Sequence, residues 1–139
     1  MHIRPSTVTG NVLKYTVFED GLALSEQEFH ARIVSCILAG RPEQAVKLLS
    51  EYYEIPEPGL RVGTVKRHRK VLGCYVEREK RIYISQSQFL ADPFVILHEF
   101  YHHLRASSIG RDRQVEKRAD LFALKFIRDF KRSSMASSG

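Results

Sequence analysis

Few cysteines and no long apolar run are the first features of this sequence, and each excludes a class of protein. The only cysteines, Cys36 and Cys74, both lie in apolar segments, which predicts two reduced thiols rather than a disulfide framework or a Cys-rich zinc module. No stretch approaches the roughly 18 apolar residues of a membrane span. The N-terminal MHIRPSTVTG lacks the apolar centre of a secretory signal. We therefore expect a cytoplasmic protein that does not contact a membrane.

The composition is that of an ordinary globular chain with a basic charge balance. The 139 residues are 43% hydrophobic and 27% charged, which is enough for one modest core. The formal net charge is +6, and the excess is concentrated at residues 66–70 and between residues 105 and 132. A basic balance indicates acidic partners, nucleic acid included, without identifying one.

Two helices are predicted in the first half of the chain. Ser25 and Glu28 form a capping-box pattern, and apolar residues follow at helical spacing until Gly40. Pro42 then stands where a first-turn proline belongs. A second apolar stripe continues to about residue 55, so residues 25–55 predict two helices with a sharp break.

The middle of the chain changes to short segments rich in Val, Ile and Tyr. These segments, at residues 61–65, 71–76 and 81–85, predict a three-stranded antiparallel meander joined by charged turns.

Two further helices are predicted in the last third of the chain. Asp92 and Pro93 have the residue types of an N-cap and a first helical position, and the third helix is expected to run to about residue 107. After a turn near Gly110, Asp112 is expected to cap a fourth helix over residues 113–131.

The order of elements predicts an α+β fold: N-terminal helices, a small antiparallel three-stranded sheet, and two further helices. We assign residues 1–20 to an N-terminal segment, with a candidate strand at 12–18, and residues 21–131 to a single domain. The Ser-rich residues 132–139 predict a disordered tail.

The third helix carries the motif that indicates chemistry, His98-Glu99-Phe100-Tyr101-His102. Because a helix turns by about 100° per residue, His98 and His102 share one face and can bind one Zn²⁺. Glu99 lies beside that face, where it can take a proton from a zinc-activated water. The other apolar residues of this helix, Phe94, Leu97, Phe100, Tyr101 and Leu104, predict core packing.

A catalytic zinc site usually has three protein ligands, and the fourth helix offers the third. Glu116 follows His102 by 14 residues, which is enough chain for a turn and a return. Asp120 lies one turn later on the same face, where its carboxylate can orient a liganding histidine. The alternative for Glu116 is a solvated surface charge. His103 points away from the ligand face, and we place it beside the ligands or at the surface.

A basic run, Lys66-Arg67-His68-Arg69-Lys70, lies between the first two predicted strands. Its simplest interpretation is a solvated turn whose charges protect strand edges. The alternative is polyanion binding through Lys66, Arg67, Arg69 and Lys70, although the run has no aromatic residues to stack on bases.

HEFYHHL followed by Glu116-Lys117-Arg118-Ala119-Asp120 resembles the H-E-x-x-H…E-x-x-A-D signature of small gluzincin-type zinc metallopeptidases, with the ImmA/IrrE-like and SprT-like groups the most similar. The resemblance covers roughly residues 45–130. The chain shows neither the helix-turn-helix nor the Cys-rich zinc ribbon that such proteins often carry.

The resemblance implies a minimal zincin-like domain that hydrolyses peptide bonds with one zinc ion per chain. It implies zinc ligands at His98, His102 and Glu116, the general base at Glu99, and Asp120 as the partner of His98. It also implies that a peptide or protein substrate pairs with an edge strand within residues 71–85. Four residues are candidates for stabilising the oxyanion: Tyr101, His103, Arg111 and Arg118.

A second hypothesis of a different class remains open at this point. The net charge of +6 and the basic run are also typical of a nucleic-acid-binding or partner-binding module, in which a zinc site is structural or vestigial. The sequence indicates no oligomeric state.

Overall fold

The computed structural model describes residues 6–9, 14–17, 23–65, 71–106 and 113–137. In chain order its strands and helices are β1 (Ser6–Thr9), β2 (Lys14–Val17), β3 (Ala23–Ser25), α1 (Glu26–Leu38), α2 (Pro42–Tyr53), β4 (Gly59–Val62), β5 (Gly73–Val76), β6 (Arg81–Ile84), α3 (Pro93–Ala106) and α4 (Val115–Ser137). The described part of the chain is therefore α+β, with four helices, as predicted.

The sheet beside α3 is mixed, which corrects the predicted antiparallel meander. Its strand order is β4-β6-β5, with β4 parallel to β6 and β5 antiparallel to β6. The central position of β6 follows from burial, because Ile82 and Ile84 are fully buried whereas β4 is largely exposed. Only residues 77–80 separate β5 from β6, so these two strands form the hairpin, and β4 pairs on the other side of β6.

A second sheet contains β1, β2 and β3 in that order, with both pairs antiparallel. The strand β2 lies within the 12–18 segment for which the sequence predicted a strand. Ser25 ends β3 and also caps α1, so this sheet leads directly into the helical part of the fold.

The predicted starts of the first three helices are confirmed, two of them by capping contacts. Ser25 Oγ accepts a hydrogen bond from the Glu28 backbone N–H at 3.2 Å, and the Glu28 carboxylate accepts one from the Ser25 N–H at 3.3 Å. Pro42 is the first residue of α2. Asp92 Oδ1 accepts from the backbone N–H groups of residues 94 and 95 at the start of α3. These contacts satisfy donors that helix ends leave unpaired.

The end of the chain differs from the prediction of a disordered tail. Helix α4 continues to Ser137, so residues 132–137 are helical. The physical reason is that no proline or glycine interrupts the segment before Gly139, and its Ser, Met and Ala residues permit helix. The predicted cap Asp112, the turn at Gly110 and the basic run at 66–70, with Lys66, Arg67, Arg69 and Lys70, lie outside the described residues.

The core lies where α1, α3 and α4 pack together and against β6. Helices α1 and α4 run in the same direction, because Glu26 pairs with Lys125 at 2.6 Å and His30 pairs with Asp129 at 2.7 Å. Cys36 and Cys74 are free, as predicted. No described helix is long and apolar enough to cross a membrane. The fully buried large side chains of the core include Phe29, Ile33, Ile37, Leu49, Ile82, Ile84, Ile96, Leu97, Phe100 and Phe126.

The buried His30–Asp129 pair predicts a protein that is less stable in mild acid. Burial lowers the pKa of His30, and Lys125 lowers it slightly, against the carboxylates of Asp129 and Glu26 that raise it. Because an unfolded histidine has a pKa of about 6.5, the unfolded chain binds the extra proton first as the pH falls. The stabilisation is therefore present above about pH 6.5 and is lost as the pH falls through the lower folded-state pKa.

Urea unfolding at a series of pH values measures this effect. The control is the double variant His30→Leu/Asp129→Leu, which removes both polar partners and leaves neither unpaired. We expect the wild type to lose more unfolding free energy than the double variant between about pH 7.5 and about pH 5. An equal loss in both proteins would contradict the assignment to this pair.

Candidate metal centre

Two histidines of α3 and a glutamate of α4 meet at one point. His98 and His102 lie one turn apart, and their Nε2 atoms are 3.3 Å from each other. Glu116, in the first turn of α4, places Oε2 at 3.1 Å from His98 Nε2 and Oε1 at 3.0 Å from His102 Nε2. All three side chains thus offer a donor atom within 4.8 Å of the others, and the group could hold a metal ion.

The spacing of the donor atoms fits a small tetrahedral cation. Bonds of about 2.0–2.1 Å to nitrogen and oxygen imply neighbouring donor atoms about 3.3 Å apart in a tetrahedral zinc site. The two histidine side chains are 14% and 19% exposed, whereas Glu116 is 72% exposed, so the group is open towards solvent on the Glu116 side. Two imidazoles and one carboxylate form a donor set that suits zinc.

The carboxylate of Asp120 lies behind His98. Its Oδ1 is 2.8 Å from His98 Nδ1, so Nδ1–H donates and the lone pair of Nε2 is left facing His102 and Glu116. At His102 the pKa is lowered, chiefly by burial, although Glu116 raises it. The lowered pKa favours the neutral imidazole of His102, the form that binds a metal, while the contact with Asp120 fixes which nitrogen of His98 faces the cluster.

Glu99 lies beside this group, and its side chain is almost fully buried. Burial raises the pKa of Glu99 to about 7, and Glu116 adds to the increase. His98 and a hydrogen bond from the Tyr75 backbone oppose it. A bound cation would lower this pKa again. A carboxyl group poised near neutrality can both accept and release a proton.

The edge strand β5 lies directly over Glu99. A Cβ atom added at Gly73 would be 3.0 Å from Glu99 Cγ and 3.0 Å from Val95 Cγ1, so a larger residue would push against both buried side chains. The Ser85 N–H donates to the Leu72 carbonyl, which sets the alternation of the β5–β6 ladder. In that alternation the backbone groups of Gly73 and Tyr75 point away from β6, towards the edge with which no described strand pairs. A lone glycine in a strand is the only sequence signal of this arrangement.

The position of His103 differs from the prediction that this residue lies beside the ligands or at the surface. The side chain is buried, with Nε2 at 2.7 Å from the Pro56 carbonyl oxygen and Nδ1 at 2.8 Å from the Tyr75 hydroxyl. Since a carbonyl only accepts, Nε2–H donates to Pro56, and the Tyr75 hydroxyl donates to Nδ1. His103 therefore attaches α3 to β5 and to the segment after α2.

A cavity of about 790 Å³ opens at the three candidate ligands. Phe94, predicted as a core residue, both packs against the core and lines this cavity, while Leu97 and Phe100 are buried as predicted. The oxyanion candidates Tyr101, His103 and Arg118 do not line it, and Arg111 lies outside the described residues. The lining residues are Val71, Leu72, Gly73, Cys74, Tyr75, Glu77, Phe94, Val95, His98, Glu99, His102, Arg105, Ala106, Val115 and Glu116.

Comparison with known proteins finds no model of a protein family, no curated protein and no solved structure that matches this chain.

Proposed function

We propose that the protein is a zinc-dependent metallopeptidase with a minimal zincin-like domain. One observation carries the proposal: the Nε2 atoms of His98 and His102 converge with the Glu116 carboxylate beside the buried Glu99, at the mouth of a cavity. Their placement agrees with the roles that the resemblance to gluzincin-type peptidases implies. His98, His102 and Glu116 would hold the ion.

The chemistry divides between the ion and the protein. When bound, zinc would lower the pKa of water and polarise a peptide carbonyl. Glu99 accepts a proton from the attacking water on its carboxylate and donates it to the leaving amine. Asp120 keeps the proton of His98 on Nδ1, so that Nε2 stays available as a donor atom.

The open edge of β5 supports an extended peptide as the substrate. The backbone groups of Gly73 and the carbonyl of Tyr75 point outwards along the cavity wall, whereas the Tyr75 N–H donates to Glu99. A peptide that pairs with this edge gains backbone hydrogen bonds and brings its own carbonyl groups towards the candidate ligands. Because such pairing is independent of side chains, specificity would come from the rest of the cavity.

The alternative is a nucleic-acid-binding or partner-binding module with a structural or vestigial zinc site. The observation that favours it is the net charge of +6. A structural zinc site normally has four protein ligands, whereas the described residues supply three to this cluster, which adjoins a cavity. That difference favours the peptidase proposal.

Metal removal tests the proposed function. We expect the zinc-loaded protein to cleave members of a diverse peptide library, a chelator to stop the cleavage, and added zinc to restore it. Mass spectrometry of the products measures the cleavage and identifies the bond. A zinc-loaded protein that cleaves no peptide in the library, yet binds polyanions with a steep dependence on salt, would support the alternative instead.

A further inference from the structure

Arg105 lines the cavity, and its Nε has no hydrogen-bond partner among the described residues. It lies three residues after His102 on α3, on the same helix face, and lines the cavity. Its Nε is the single buried side-chain nitrogen or oxygen atom, among the described residues, that has no hydrogen-bond partner. Buried polar groups are nearly always paired in folded proteins, so the guanidinium of Arg105 keeps unused donor capacity beside the candidate ligands.

The carboxylates already in the cavity do not serve this guanidinium. Glu99 is enclosed beneath β5, and Glu116 contacts both histidines. Glu77 also lines the cavity, but no described carboxylate forms an ion pair with Arg105. Apart from the two histidines, Arg105 is the one basic side chain among the described residues that line the cavity.

The geometry of arginine indicates the chemistry of the ligand. The Nε–H and one Nη–H of a guanidinium point in parallel and match the two oxygens of a carboxylate. A carboxylate in the cavity can pair with the terminal Nη groups of Arg105, and a turn of the guanidinium would bring the buried Nε–H to the same carboxylate. Lysine presents a point charge without this fork, so an Arg105→Lys variant separates charge from shape.

We propose that Arg105 is a specificity-determining residue that binds a carboxylate of the peptide substrate close to the cleaved bond. The inference rests on the proposed peptidase function. Three residues of helix advance about 4.5 Å along the axis, and one residue of extended peptide spans about 3.3 Å. Since the arginine side chain adds its own reach to this distance, the carboxylate belongs within three residues of the bond cleaved beside His102. It is either an Asp or Glu side chain or the peptide's C-terminus.

Matched peptides test the proposal and distinguish the two sources of the carboxylate. One series compares Asp and Glu with Asn and Gln at each position within three residues of the cleaved bond. A second series compares a C-terminal acid with a C-terminal amide at the same lengths. For the zinc-loaded wild type, we expect kcat/KM to be about 10- to 100-fold higher for the carboxylate member of one series.

The Arg105 variants then show whether this residue carries the preference. We expect the ratio between paired peptides to fall to about one in Arg105→Gln and to be partly retained in Arg105→Lys. Circular dichroism melting checks that both variants fold. A preference that survives Arg105→Gln, or a wild type that cleaves both members of every pair equally, would overturn the proposal.

A binding measurement separates this inference from the proposed function. Calorimetry on the zinc-loaded Glu99→Gln variant compares the affinities of the paired peptides with and without the additional Arg105→Gln change. A carboxylate preference that depends on Arg105 supports the inference, even if the wild type cleaves no peptide and the peptidase proposal fails. Equal affinities in both backgrounds would refute it, even if cleavage is observed.

Discussion

Replacement of Glu99 by glutamine should lower kcat/KM for peptide cleavage by about 10²- to 10⁴-fold, the usual contribution of general acid–base catalysis. Glutamine has the same size, and its amide oxygen can still accept the hydrogen bond from the Tyr75 backbone. It cannot accept a proton from water. Since Glu99 is not one of the clustered donor residues, the variant should still bind about one zinc ion per chain, as a single site implies.

Two measurements on the same preparation check this result. Peptide cleavage gives kcat/KM, and elemental analysis gives the zinc content. Glu57→Gln is the matched control, because it makes the same charge change at an exposed residue that does not line the cavity. A Glu99→Gln protein that cleaves as fast as the wild type would show that another group takes the proton.

Replacement of Glu116 by alanine should deplete the protein of zinc. The carboxylate is the one candidate ligand from α4, and it contacts both imidazoles. Without it two donor residues remain, fewer than the three that catalytic zinc sites use. We expect a larger loss of affinity than in Asp120→Ala, for which removal of a histidine's hydrogen-bond partner typically costs about 10- to 100-fold.

Elemental analysis after dialysis, together with competition against a zinc-binding dye, measures both variants. The exposed Glu57→Ala substitution removes the same charge away from the cluster and should retain zinc. If the Glu116→Ala variant bound zinc as tightly as the wild type, Glu116 would be a solvated charge rather than a ligand. If the wild type took up no zinc, the proposal of a zinc centre would be refuted.

Signals that act over a few residues were sufficient to predict the helices. Ser25 and Asp92 each cap a helix through contacts within three residues of themselves, and Pro42 begins α2 because its fixed φ suits the first helical turn. The sheet was predicted wrongly because strand neighbours are separated by many residues in sequence. Strands β4 and β5 lie on opposite sides of β6. Neither the length nor the composition of residues 63–72, which connect them in sequence, specifies this strand order.

Helix α3 shows the same difference between what local spacing predicts and what contacts with distant segments determine. Leu97 and Phe100 are buried, as the helical period indicates. Phe94 and Arg105 line the cavity, and His103 is buried between Pro56 and Tyr75. Periodicity assigns a residue to a face of its own helix, but the neighbour on that face comes from elsewhere in the chain.

The sequence by itself determined the relation between His98, Glu99 and His102, because helical spacing is local and places the two histidines one turn apart. It also indicated Glu116 and Asp120 as candidates. Only the tertiary structure decided that α4 brings both carboxylates to the histidines and that β5 lies on Glu99 at Gly73. It also decided that Arg105 lines the cavity with an Nε that has no partner among the described residues. These contacts depend on packing between distant segments, and no local spacing specifies such packing.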